Sequence, residues 1–177
     1  MKPEKDYTIQ FIGLKEGTHS FDYEFGNTFF TIFEFDEFND ANVKVEVELT
    51  KKTTLLELKF KASGTVNVNC DLTNEPYDQI IDSDFDLIVK FGEAFNDDNE
   101  EILIIPHGEY EINVAQYIYE LIVLSVPSKR IHPGVEDGTL KSEILQKLEE
   151  LSPKELNDEN EEIDPRWNTL KKLLTDK

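Results

Sequence analysis

Tyr7, Ile9 and Phe11 alternate with Thr8 and Gln10, the period-two mark of a half-buried strand over residues 7–14. Gly13 and Gly17 bracket a turn. Residues 19–25 alternate more cleanly, with Phe21, Tyr23 and Phe25 on one face and Ser20, Asp22 and Glu24 on the other. Phe29, Phe30, Ile32, Phe33 and Phe35 then form a dense apolar patch that fits either a short helix or a fully buried strand, and the helix is preferred. Residues 43–49 and 56–61 alternate again and expose opposite charges, Glu46 and Glu48 against Lys59 and Lys61, across a short link. That pattern predicts an antiparallel hairpin with cross-strand ion pairs. Ser63 and Gly64 read as a turn into a further strand, on which Val66, Val68, Cys70 and Leu72 face one way. Beyond Pro76, residues 77–91 continue extended, 96–101 read as an acidic loop before the apolar run Ile102 to Ile105, and the β half ends near Ile112. Short links make all-antiparallel order the economical topology.

Val114, Tyr117, Ile118, Leu121, Ile122 and Leu124 recur at helical spacing behind Asn113, a suitable N-cap, until Pro127 stops the run. The apolar face is broad enough to cover one side of a sheet. The predicted fold class is therefore α+β: an antiparallel β-rich N-terminal half, a meander or partly closed barrel, covered by one apolar helix and followed by C-terminal helices. Residues 1–127 are assigned to the β-rich domain and residues 128–177 to a helical extension. Within the extension, 128–138 is a linker carrying Lys129, Arg130 and His132, and 140–151 is an amphipathic helix. Residues 152–163 are too acidic and too poor in large apolar groups to offset ordering entropy, and are expected to be mobile. Asp164 and Pro165 suit the entry of a last helix, where Trp167, Leu170, Leu173 and Leu174 form a stripe opposite Arg166, Lys171 and Lys172.

Charge narrows the function classes. The 177 residues hold 38 acids against 18 bases, a formal net charge of −20 that repels phosphate backbones and offers no basic stripe for counterion release. RNA contact is therefore expected to be indirect, and basic proteins are the natural partners. The lone cysteine rules out an internal disulfide or a four-thiolate zinc site. Residues 1–6 lack the apolar run of a signal peptide, and residues 114–126 fall short of a membrane span of about 20 residues. A cytoplasmic location is expected, with no membrane, small-molecule substrate, cofactor or metal.

Three features have candidate chemistry. Cys70 lies on an apolar face with no base spaced to activate it, so it reads as packing. Asp82, Asp84 and Asp86 alternate and share a face; they are the carboxylates a magnesium-dependent ribonuclease would use, although a solvated strand face gives the same pattern. Trp167, the only tryptophan, has Arg166 beside it and Lys171 and Lys172 one turn on. Exposed, it would anchor a partner; docked, it would be core.

Two segments have a further meaning. The run from Cys70 and Asp71 to Tyr77, closing the β-rich half, and the tail formed by Asp164, Pro165, Arg166, Trp167, Leu170 and Leu173 resemble the YceD family, named for accumulation of large-subunit ribosomal RNA. Gly13, Leu14 and Lys15, followed by Gly17, His19 and Phe21, are similar to its opening. Fuller members have a second cysteine three residues after the first, where this chain has Thr73, and a later pair absent from residues 130–145. A zinc role does not carry over to this cysteine-poor variant, in which packing must replace a metal. The resemblance implies a role in processing or accumulation of large-subunit ribosomal RNA; taken with the charge, the reading is a ribosome-biogenesis factor that binds a basic ribosomal protein or assembly factor, with the Trp167 helix as anchor.

Overall fold

The computed structural model of the chain describes residues 6–152. Its alternating runs form one open six-stranded sheet in the order β2-β3-β4-β5-β7-β6 and a separate two-stranded pair, β1 with β8. The strands are β1 (Thr8–Ile9), β2 (Gly17–Phe25), β3 (Asp40–Lys51), β4 (Leu55–Asn69), β5 (Pro76–Gly92), β6 (Asn96–Asn99), β7 (Ile102–Pro106) and β8 (Ile112–Asn113). The helices are α1 (Asn27–Phe30), continued by a 3-10 turn over Thr31–Phe33, then α2 (Ala115–Ser125), α3 (Pro133–Glu136) and α4 (Glu143–Leu151). The fold is α+β and mostly antiparallel, and the sheet does not close into a barrel. The chain divides into two units, Met1–Lys141 and Ser142–Lys177. In the second, α4 starts with the Ser142 hydroxyl accepting from Ile144 N–H at 3.3 Å.

Strand alternation sorts the sheet into two faces. Val43, Val45, Val47 and Leu49 of β3 and Leu56, Leu58 and Phe60 of β4 are buried, while Lys44, Glu46, Lys59 and Lys61 point away. Helix α2 lies on the buried face against β4 and β5 and buries Ile118 and Ile122 completely. Each such side chain contributes about 1.5–3 kcal/mol. Aromatic rings from α1 and the turn after it complete the core: Phe29 and Phe30 are buried, and Phe33 stacks on Tyr119 of α2 with centroids 4.2 Å apart. The Asn113 side-chain carbonyl accepts from Ala115 N–H at 2.9 Å just ahead of α2, but the N-cap is Val114, one position later than the Asn113 expected, and its side chain makes no capping hydrogen bond. At the other end Val126, forced out of the helical region by the following proline, is extended.

The structure corrects several expectations. The first strand shrinks to Thr8–Ile9, because Phe11 to Leu14 turn and present carbonyls to Lys51 Nζ, at 2.9 Å for both Phe11 and Leu14. Ser63 and Gly64 make no turn; β4 runs straight through them. Gly64 sits at φ +148 because β3 crosses so close that a Cβ there would lie 2.2 Å from the Asn42 carbonyl oxygen. Glu46 and Glu48 do stand opposite Lys61 and Lys59 in register, yet no ion pair joins them among the described residues; Ser20 Oγ donates to Glu46 instead, at 3.1 Å. The acidic stretch after Phe95 includes strand β6. It runs along the outer edge of β7 and returns the chain so that β7 pairs with β5 in parallel, against the all-antiparallel expectation. The basic linker contains α3, which Pro133 opens and the His132 ring caps by accepting from Gly134 N–H at 2.8 Å.

Candidate functional site

Cys70 lies just past β4, at the head of a tight turn closed by Asn74 N–H to Cys70 O at 2.8 Å, with Asn74 at φ +59. The turn is bound to the start of the basic segment. Asp71 N–H donates to Arg130 O at 2.8 Å, Arg130 N–H donates to Asp71 Oδ2 at 2.7 Å, and His132 N–H donates to Cys70 Sγ at 3.3 Å. The Arg130 guanidinium adds Nε to Asp71 at 3.5 Å and Nη1 to Glu37 at 3.2 Å. The His132 ring meets Tyr77 edge-on, with centroids 5.5 Å apart.

Cys70 is almost completely buried and packs, as expected, but its sulfur also serves as an acceptor. Burial pushes the thiol pKa up. Hydrogen bonds from the Thr73 hydroxyl and from the amides of His132, Leu72 and Thr73 outweigh burial and hold it below its ordinary value. Thr73 is thus tied to the sulfur, and hydrogen bonds link the two segments here. Sequence reasoning found Cys70 and Asp71 and noted Arg130 without joining them, because 59 positions separate Asp71 from Arg130.

Asp82, Asp84 and Asp86 are exposed on one face of β5, and their neighbours across the strand are Ser63, Lys61 and Lys59. No cluster of three or more His, Cys, Asp or Glu able to hold a metal occurs among the described residues. Lysines beside the carboxylates favour a solvated, charge-balanced face over a cation site. Asp164, Pro165, Arg166, Trp167, Lys171 and Lys172 lie outside the described residues, as does the acidic stretch 153–163.

On the opposite face, a groove of about 1100 Å³ runs between α2 and the β5-β7-β6 end of the sheet. Leu103, Ile105, Leu121 and Tyr117 contribute apolar surface, and Asp97, Glu100, Glu109 and Glu120 are acidic and exposed. No sequence motif marks it, since its walls come from five separate stretches of chain.

A family model described as large ribosomal RNA subunit accumulation protein YceD matches residues 58–174. The chain belongs to the YceD family. The match takes in the Cys70–Asp71 turn, α2 and the motif from Asp164 to Trp167, whereas the similarity at residues 13–21 lies outside it. No curated protein and no solved structure matches the chain. The family's description points to a role in accumulation of large-subunit ribosomal RNA. No helix among the described residues is long and apolar enough to cross a membrane.

Proposed function

We propose that this YceD-family chain supports accumulation or processing of large-subunit ribosomal RNA as a non-catalytic cytoplasmic module that binds a basic ribosomal protein or assembly factor. The family match over residues 58–174 carries the ribosomal part of this reading. A net charge of −20 supports a protein partner over RNA, because like charge raises the cost of every phosphate contact while attracting lysine-rich surfaces. Arg166, Trp167, Lys171 and Lys172 supply a specific anchor, tryptophan and arginine being the side chains that most often dominate interfaces.

A tagged pull-down from native lysate at low and moderate salt tests it. One or a few large-subunit proteins should be enriched, and the enrichment should fall as salt rises. RNA recovered without ribosomal protein would overturn the protein-partner reading. Magnesium-stimulated RNA hydrolysis abolished by Asp84→Asn would replace it with the ribonuclease alternative.

A further inference from the structure

We infer that the groove between α2 and the β5-β7-β6 end of the sheet is a docking site for a cationic amphipathic segment of a protein partner. This rests on the proposed reading and names the surface that would serve it.

The groove exists because β7 pairs with β5 only from Ile88 onward. Short β7 and β6 leave the edge of β5 away from β4 without a partner strand around Ser83 and Phe85, and α2 alone does not fill the gap. Two large apolar side chains remain in solvent there, Phe95 at 59% exposure and Leu124 at 81%. Neither is needed to fill the core, and both line the same groove.

Charge selects the occupant. The residues lining the groove from β6, from the loops beside β7 and from α2 include five carboxylates, Asp97, Glu100, Glu109, Glu111 and Glu120, and no lysine, arginine or histidine. Asp97, Glu100, Glu109 and Glu120 have no basic partner within ion-pair distance among the described residues. The field reaches the groove wall: burial raises the Tyr117 pKa, and Asp97 and Glu120 raise it further. An anionic metabolite or a nucleic acid would be repelled. The volume is also at or above the upper end of small-molecule pockets, about 300–1,000 Å³. A segment with leucine-like side chains on one face and lysine or arginine on the other satisfies both the apolar floor and the acidic rim.

The test uses the full chain and two labelled peptides of identical lysine and leucine composition, one with its leucines on a single helical face and one scrambled to remove that face. Fluorescence anisotropy at physiological salt should show the amphipathic peptide binding roughly tenfold tighter, since both peptides carry the same charge. The double variant Phe95→Ser with Leu124→Ser should lose about five- to tenfold with unchanged circular dichroism and melting temperature. Asp97→Asn with Glu120→Gln should also weaken binding, whereas Asp82→Asn with Asp86→Asn, the same charge change on the far face, should stay within about twofold. Equal affinity for the two peptides, or equal loss from the near and far charge pairs, would overturn the groove. Those results would leave the ribosomal reading to be judged by its own pull-down, which does not depend on these peptides.

Discussion

Removing the Asp71 carboxylate takes an acceptor from Arg130 N–H and from the partly covered guanidinium together. We expect Asp71→Ala to cost about 1.5–3 kcal/mol in urea unfolding, the range for a charge-assisted hydrogen bond. Glu37→Ala, which breaks the other contact of Arg130 at a more exposed carboxylate, should cost less than about 1 kcal/mol. If Glu37 proved the more costly, the Asp71 clip would not be what joins the turn to the basic segment. The Cys70 thiol gives a second prediction at the same spot. Its folded pKa lies below the unfolded value, so the folded state favours the thiolate. The resulting stabilisation is present above the unfolded thiol pKa of about 8.5 and is lost as pH falls through the folded pKa. Wild type should therefore gain stability relative to Cys70→Ala as pH rises toward and past that value, and Thr73→Val, which deletes one donor, should reduce the gain. A flat difference across that range would show that the hydrogen bonds do not outweigh burial.

Gly64 shows how far an element can be read from residue type. A serine–glycine pair between two alternating runs reads as a turn, but here the glycine lies within a continuous fifteen-residue strand because β3 needs the space a side chain would take. Gly64→Ala brings a Cβ to 2.2 Å from Asn42 O and 2.8 Å from Val43 Cα, both backbone atoms that have little room to yield. We expect a loss of about 2–4 kcal/mol from overpacking and the positive φ, read as a lower urea midpoint. A near-neutral outcome would mean that β3 and β4 separate locally at no cost. Strands β2, β3 and β5, the two halves of β4 and helix α2 were readable in advance, since strict alternation and 3.6-residue spacing each bury one face whatever the neighbours are. The parallel pairing of β5 with β7 was not, because alternation is the same for either direction and the deciding fact is the outer-edge course of β6. The Cys70–Asp71 turn was visible as a motif; its tie to Arg130 and His132, and the groove beside α2, depend on tertiary proximity that no local pattern encodes.

At the scale of the whole molecule, charge and anchor make separable predictions. An excess of 20 negative charges attracts any basic surface at long range, so electrostatics alone would give weak, promiscuous capture that disappears over a modest rise in salt. A specific partner needs in addition a desolvated contact that salt does not screen. Trp167, within the family-matched span, is the side chain assigned to that contact. Trp167→Ala leaves the net charge at −20, so it should not alter the salt dependence of capture, but it should lower affinity by about 2 kcal/mol, roughly thirtyfold, at every salt concentration. Far-ultraviolet circular dichroism and melting temperature should stay nearly unchanged, because an anchor contributes only when the partner is present. Neutralising two carboxylates should do the reverse, flattening the salt dependence while leaving the high-salt affinity almost intact. A large fall in melting temperature for Trp167→Ala would instead make the tryptophan part of the folded core, and the anchor would have to be sought on another surface of the chain.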